Sequence, residues 1–465
     1  MPIPANYKEG GKWVAAKPSL ETVTQRQPWW TLYKDPVLNG LEQKVTCGNE
    51  NLKVALARYQ EACAIAQSTR SQLYPTIMGQ GSAARQKNAA APINSGDLPI
   101  FIFNAFMLTS TLNYEVDAWG SVRNSVIASD SLAHASQFDL AAIDLSMHAA
   151  LAANYFELRG DEAAQKVLDA TVVAYKKAVS LTRKLHQGGA ASEIDVDQAL
   201  TQLENAKTQA IDLRLRRAQL EHAIAVLIGE IPANFHIQPT NAPIQLVTVS
   251  PDLPSTLLER RPDVAAAEQR VKSANASIGV ARAAFFPVFN LTSMIGFRSQ
   301  KISRLLSTPN LVWALGPSSG IALMQPEINQ VIFDGFNLEA LLRRAKANYY
   351  EAVSNYRQTV LTAFQNVEDN LVAIRRLDQE NKTQTASTEA AVRALYQANQ
   401  RYQGGIATFL DVVVTENQAL QSKLMLINIH TRRQVASVQL IKALGGGWSD
   451  SRSIKAVIAK ERLAV

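Results

Sequence analysis

Shifted along itself by about 216 residues, the chain repeats without a gap, and this dominates what it can fold into. Gln187-Gly188-Gly189 falls on Gln403-Gly404-Gly405, Asp195-Val196 on Asp411-Val412, Arg216-Arg217 on Arg432-Arg433, and Gly229 on Gly445. A second register, offset by about 212, pairs Arg58, Arg70 and Pro75 with Arg270, Arg282 and Pro287. Two copies of one supersecondary unit account for both matches. Each copy reads as a short helix, a proline, two strand-like stretches, a long helix, a Gly-Gly turn and a further helix.

The long helices are the next constraint. Between Ser121 and Gln187 there is no proline and one glycine, Gly160; between Leu338 and Gln403 there is neither. Val360, Phe364, Val367, Leu371 and Ile374 recur at alternating spacings of four and three, the seam of coiled-coil-like packing. A helix of about 67 residues spans roughly 100 Å, far beyond an ordinary globular helix. The helical segments near 41–73 and 192–228 together approach the length of the long helix between them, and the second copy behaves alike. Two short helices stacked end to end beside one long helix make a rod.

Between the helices the period changes to two. Ile102, Phe106, Leu108, Leu112, Tyr114 and Val116 share one face of an extended segment, and Thr109, Thr111, Asn113, Glu115 and Asp117 share the other. Near Val288–Arg298, Phe289, Leu291, Ile295 and Phe297 alternate with Asn290, Thr292 and Arg298. Such alternation suits a membrane barrel, and by periodicity alone it suits a soluble sheet resting on a core. In a barrel, Phe101, Phe103, Phe106 and Trp313 are the candidates for the borders of its apolar belt. Helices are thus expected over 41–73, 121–229, 262–285 and 338–444, and strands within 74–118 and 286–334. A small mixed region gathers 1–40, 230–261 and 445–465.

Composition excludes several classes. The net charge of +7 is spread among acids, with no basic run and no aromatic interleaving, so no nucleic acid is expected as partner. Cys47 and Cys63 lie roughly 24 Å apart if they share a helix, too far for a disulfide. None of the six histidines stands in a metal-binding spacing, and Asp144 with His148 reads as a surface pair, so no cofactor and no metal are expected. Gly445-Gly446-Gly447 follows a helix and reads as its C-cap. The uncharged stretch Leu305–Pro326 is broken by Pro309, Gly316, Pro317 and Gly320, against a spanning helix. Met1 is followed by Pro-Ile-Pro-Ala-Asn-Tyr and not by a basic, then apolar leader, which suggests a mature N-terminus.

Membrane strands would dictate assembly. Four strands cannot close a barrel, and an open edge in lipid leaves backbone groups unpaired. Eight strands fill their own interior, whereas twelve leave a lumen. Three copies of the chain satisfy both conditions.

The motifs carry a resemblance. Leu257-Leu258-Glu259-Arg260-Arg261-Pro262-Asp263-Val264 resembles the LLxRRPD signature of outer-membrane factors of the TolC/OprM type. Trp29-Trp30 with Asp35-Pro36 and Leu38, Asp117-Ala118-Trp119-Gly120, Phe285-Phe286-Pro287, Ile332-Phe333-Asp334-Gly335 and Ala443-Leu444-Gly445-Gly446-Gly447-Trp448 match in the same order. The chain is similar to that family over nearly its whole length, most of all to the branch serving resistance-nodulation-division (RND) efflux pumps. The resemblance implies an α+β, mostly α fold with a two-fold internal repeat. It implies a homotrimer whose twelve-stranded transmembrane β-barrel continues into a long periplasmic α-helical barrel with a small equatorial mixed domain. It implies an outer-membrane exit duct for drugs, metals or other small toxic compounds, and no enzyme. The implied partners are outer-membrane lipid, a periplasmic adaptor (membrane fusion) protein and an inner-membrane RND-type transporter. Many relatives carry a lipidated cysteine before a segment like Ala5-Asn6-Tyr7-Lys8, implying a palmitoylated lipoprotein anchor; no cysteine stands there in this sequence.

In that family the closed periplasmic end is held at the hairpin tips. The aperture acids fall on Asp411 and Val414, the latter a departure; the tyrosine falls on Tyr402, its partner aspartate on Asp195, and the apolar constriction on Leu410. The resemblance thus implies a gate of Asp195, Tyr402, Leu410, Asp411 and Val414, with a hydrogen bond from Tyr402 to Asp195 as latch. Read from the residues alone, Asp195 and Asp411 are first-turn acids that favour a helix dipole, and both roles can coexist. The alternatives are a protein-secretion duct and a soluble coiled-coil scaffold.

Overall fold

The computed structural model describes residues 28–87, 102–240, 261–316 and 328–446. A 3-10 turn, Trp29–Tyr33, leads into α1 (Pro36–Gly48) and α2 (Glu50–Ser71). Strands β1 (Thr76–Lys87) and β2 (Ile102–Val116) are followed by the long α3 (Ser121–Gln187) and by α4 (Glu193–Leu227). The second half runs α5 (Pro262–Ala283), β3 (Val288–Ser299), β4 (Leu311–Gly316), β5 (Ile328–Asn329), α6 (Asn337–Gln403) and α7 (Phe409–Ala443). Helices α3 and α6 have 67 residues each, α4 and α7 have 35 each, and α2 and α5 have 22 each. The chain divides into two compact units, one from 1–57, 137–266 and 357–465, the other from 58–136 and 267–356.

The first unit is helical, and its motifs serve packing. Trp29, Tyr33 and Leu38 of the WW…DPxL motif are buried. Asp35 caps α1 by accepting from Val37 N (2.9 Å) and Leu38 N (3.1 Å), while its other oxygen accepts from the Tyr155 hydroxyl on α3 (2.7 Å). Tyr33 packs on Phe156 and shares a 2.7 Å hydrogen bond with Ser437 on α7. Arg261, the described arginine of the RRPD block, grips Asp263 through Nη2 (2.6 Å) and Nε (3.0 Å). It also donates to the Ala443 carbonyl at the end of α7 (3.1 Å), satisfying a helix-terminal acceptor. Gly160 lets α3 meet α7 closely, since a Cβ there would lie 2.1 Å from Thr431 Oγ1. Ion pairs join each long helix to its shorter neighbour: the buried Glu162 to Arg217, and the half-exposed Asp378 to Arg433.

Two expectations change in this unit. The helix read as continuous over 41–73 breaks at Asn49. Asn49 accepts from Leu52 N (3.1 Å) and donates to the Leu227 carbonyl (2.7 Å), so it caps α2 and ties the break to the end of α4. A Cβ on Gly48 would stand 2.0 Å from the Ile228 carbonyl oxygen, which fixes glycine there. His148 is no surface residue. It is 3% exposed, bonded through Nδ1 to the buried Glu42 at 2.5 Å, 3.4 Å from Asp144, and stacked on Trp30 at 4.4 Å. Burial opposes its charged form, but Asp144 and Glu42 outweigh that and push its pKa up to about 9. Burial raises the Glu42 carboxyl to about 7.

The second unit holds the sheet, ordered β1-β2-β3-β4 and antiparallel throughout, with β5 pairing β3 beyond β4. Its register sorts side chains by face, because opposed residues of paired strands point the same way. One face collects the rows Ile77–Leu112–Ser293–Leu315, Gly79–Ser110–Ile295–Trp313 and Gly81–Leu108–Phe297–Leu311, with Tyr114 beside Leu291 and Val116 beside Phe289. The other collects Thr76–Asn113–Thr292, Gln80–Thr109–Gly296 and Glu115–Asn290, with Met78, Met107, Met294, Phe103 and Val312 among its apolar members. Gly296 allows β3 to approach β2, since a Cβ would lie 2.2 Å from the Leu108 carbonyl oxygen. The apolar face is no core. Ile77, Trp313 and Leu315 are 64–69% exposed. Among the described residues no helix is long and apolar enough to cross a membrane.

The aromatic borders differ from expectation. Phe103 lies opposite Gln86, on the polar face, because its parity is odd; Phe101 lies outside the described residues. Trp313 sits within the apolar rows. Exposed aromatics gather instead where the strands meet the helices. Trp119 stacks on Phe286 (4.7 Å) and donates from Nε1 to the Pro287 carbonyl (2.8 Å), and Tyr74, Phe333 and Phe336 are exposed nearby in sequence. Such rings suit a boundary that is apolar on one side and wet on the other.

Candidate functional site

The gate residues named from the sequence lie at two helical turns of the first unit. Each turn begins with glycine in a left-handed conformation, Gly189 at φ 74° and Gly405 at φ 72°. Each closes with a 6→1 backbone bond, Ala190 N to Leu185 O (2.8 Å) and Ile406 N to Arg401 O (2.9 Å). Each next helix opens with a capping box. Ser192 and Asp195 exchange bonds at the start of α4, and Thr408 and Asp411 do so at the start of α7. The hydroxyls reach the carboxylates at 2.8 Å in both.

Asp195 and Asp411 are therefore engaged in holding their own helices. The Thr408 hydroxyl and backbone N–H keep the Asp411 carboxyl below the ordinary aspartate range. Tyr402 makes no hydrogen bond to Asp195 within the chain. Its ring packs on Phe409 (5.7 Å) and on the cluster of Tyr175, Val179, Ala199, Leu203, Ala206 and Val413. Burial, and then the Asp195 charge, raise the Tyr402 hydroxyl's pKa, so it stays protonated and able to donate.

Leu410 and Val414 stand one turn apart on α7, 51% and 58% exposed, while Phe409, Val412 and Val413 beside them are buried. The start of α7 thus inserts one face into the tip cluster and presents an apolar pair with Asp411 on the other. Two residues escaped the sequence reading. Glu416 has its pKa raised to about 6 by burial, and the buried Tyr175 hydroxyl, which lacks a partner among the described residues, is raised to about 12 by burial and by Glu416. Under the offset of about 216 residues Leu200 and Ala391 stand at their places, so the sequence similarity gave no signal for them. Among the described residues no group of histidine, cysteine or acidic side chains is arranged to hold a metal, and Cys47 and Cys63 are both free.

Comparison with known proteins gives these tips and this sheet a setting. The model of the family described as Outer membrane efflux protein matches residues 41–230 and 253–446. A probable efflux pump outer membrane protein of Pseudomonas putida, TtgC, is 31% identical over 449 residues, covering 96% of this chain and 90% of that protein. Among solved structures, the outer-membrane channel OprN has a TM-score of 0.86 at 27% identity, covering 96% of this chain and 97% of that one. The outer membrane protein VceC of Vibrio cholerae has a TM-score of 0.83 at 28% identity, covering 91% of this chain and all of that one. The soluble-scaffold reading falls with these matches. An apolar sheet face without a core, helices of 67 residues and a match along nearly the whole sequence have one account: the chain belongs to the outer membrane efflux protein family and is an efflux channel of the outer membrane.

Proposed function

We propose that three copies of the chain close one twelve-stranded barrel and one helical cylinder, through which compounds leave passively. The observation that carries this is the sheet. Its faces divide into apolar and polar, its apolar face covers no core, and β1 offers a 12-residue edge without a partner strand among the described residues. In lipid such an edge must be paired, and within the repeat logic the partner is the next copy's β4 edge. The two-fold repeat is supported by equal helix lengths, by the paired capping boxes and by the ion pairs Glu162–Arg217 and Asp378–Arg433, each set offset by about 216 residues. The segments 1–40, 230–261 and 445–465 are assigned to an equatorial region; residues 1–27, 241–260 and 447–465 of them lie outside the described residues. The expected lipid anchor would precede Ala5-Asn6-Tyr7-Lys8, which lies outside the described residues.

The tips are the gate. Leu410 and Val414 of three copies narrow the periplasmic end as an apolar ring, with Asp411 above them and with Tyr402 poised to donate to Asp195 of a neighbouring hairpin. A periplasmic adaptor relieves the closure, and an inner-membrane RND-type transporter drives export. The P. putida relatives named as antibiotic and toluene efflux proteins point to apolar drugs and solvents as cargo. The test is conductance of the purified protein in planar bilayers, together with its mass in detergent. Three copies are expected, and Leu410→Ser with Val414→Ser should raise conductance more than Tyr402→Phe with Asp195→Asn. A conducting single chain, or a wild-type conductance in the Leu410/Val414 variant, overturns the reading.

A further inference from the structure

The far end of the sheet is basic and carries no acid among the described residues. Strands β1 and β3 start beside the helices and run away from them, so Lys87, Ile102 and Ser299 mark the distal end and Thr76, Val116 and Val288 the proximal one. Glu115 and Asp117 lie at the proximal end. At the distal end stand Arg85, Lys87, Lys301 and Arg304, all exposed and none in an ion pair with another described residue. Between β1 and β2 the sequence holds one acid, Asp97, outside the described residues.

The position of these cations is specific. Arg85 pairs with Asn104 and Lys87 with Ile102, on the face that carries Leu108, Leu112, Ile295 and Trp313. They follow the Ala83–Phe106 row by two and four residues, roughly 7 and 13 Å along the strand. The β3–β4 connection adds the short helical turn Ile302–Arg304, where Ile302 is 69% exposed and Leu306 68% exposed, beside Lys301 and Arg304. Apolar side chains alternating with cations at the rim of an apolar band suit neither plain water nor hydrocarbon. They suit the layer where acyl chains give way to anionic headgroups.

We infer that this distal rim binds the phosphate groups of an outer-leaflet lipid headgroup, with Arg85, Lys87, Lys301 and Arg304 as the phosphate contacts and Ile302 and Leu306 seated among the adjoining acyl chains. The inference rests on reading the sheet as part of a membrane barrel. Arginine offers a planar fork that fits phosphate oxygens, and lysine a compact charge, so the four form a mixed cradle tolerant of headgroup orientation.

The experiment uses the full-length protein purified in detergent. Retention of bis-phosphorylated lipid A is measured by native mass and by fluorescence titration, against lipid A stripped of its phosphates. The phosphorylated lipid should bind at least tenfold tighter, and more so at low salt. Arg85→Gln, Lys87→Gln, Lys301→Gln and Arg304→Gln together should weaken it on the order of 600-fold, since each cation near an anionic surface contributes roughly a fivefold factor. Arg85→Lys with Lys87→Arg should keep most of the affinity. The two double variants, at 85/87 and at 301/304, serve should the fourfold variant not fold. Equal retention of both lipids, unchanged affinity in the variants, or displacement by millimolar inorganic phosphate each overturns the inference, the last by revealing a free-anion site. Conductance on the same samples separates the two readings: a conducting three-copy channel without lipid discrimination sinks only the lipid contact.

Discussion

Consider Leu112→Arg against Thr111→Arg, neighbours on β2 with opposite faces. Leu112 shares its row with Ile77, Ser293 and Leu315, whereas Thr111 shares its row with Met78, Met294 and Ala314 on the face that carries the threonines and asparagines. Leu112 lies four residues from Val116, the proximal end of β2. That is roughly 13 Å along the strand, or about 10 Å along the membrane normal at the usual tilt of about 40°. In an apolar band about 25 Å tall, Leu112 is then within about 3 Å of the midplane, where an arginine facing lipid costs roughly 2–4 kcal/mol. In the proposed trimer three copies triple that load on one barrel, to about 6–12 kcal/mol, comparable with the whole stability of an ordinary domain. Thr111→Arg faces the lumen and should cost under about 1 kcal/mol per copy. The assay is folding into preformed lipid vesicles, read as the band that resists sodium dodecyl sulfate until heated. Leu112→Arg should lose that band, and Thr111→Arg should keep it. Equal loss at both positions, or equal tolerance, would refute the assignment of faces.

Gly296→Ala should cost at least about 2 kcal/mol, because its Cβ meets the Leu108 carbonyl oxygen and no side chain can yield; denaturant titration of vesicle-folded protein measures it. Gly160→Ala meets only the Thr431 side chain, so Thr431→Ala should restore much of the loss, and a double-mutant cycle reads the coupling. Removing both N-caps, Ser192→Ala with Thr408→Ala, should cost about 1 kcal/mol each and raise amide hydrogen exchange at the two turns selectively; uniform exchange would deny the caps a local role. His148 has a folded pKa raised to about 9 from 6.5, so its contribution is full below pH 6.5 and is lost as pH rises through 9. His148→Gln should therefore flatten the fall in thermal stability across that window, followed by tryptophan fluorescence; an unchanged slope rules the residue out as its source.

The legibility of this chain followed the range of its interactions. Helix α3 was readable because a run without proline, with Gly160 alone inside it, has few other options, and the parity of β2 separated Leu112 from Thr111 without any partner strand in view. Features that depend on a distant contact stayed hidden. The break at Asn49 needs the Leu227 carbonyl, and the burial of His148 needs Glu42 and Trp30, all remote in sequence. Phe103 was misplaced because its aromatic character outweighed its odd parity. At the tips, the residue types were visible, but whether Asp195 serves its own helix or a neighbouring hydroxyl is a competition between two hydrogen bonds. Spacing alone cannot rank them, and within one chain the capping box with Ser192 wins.

The unpartnered edge of β1 has a genetic consequence. A chain whose strands need a neighbour on both sides cannot insert alone, so in the proposed trimer one defective copy spoils the two sound ones it joins. When half of the chains in a cell carry such a defect and mixing is random, about one trimer in eight escapes it. Lesions on the β1 edge or on the apolar face of β2 are then dominant over a wild-type copy. Lesions that unfold a chain before its edge can pair are recessive, because that chain never reaches a partner.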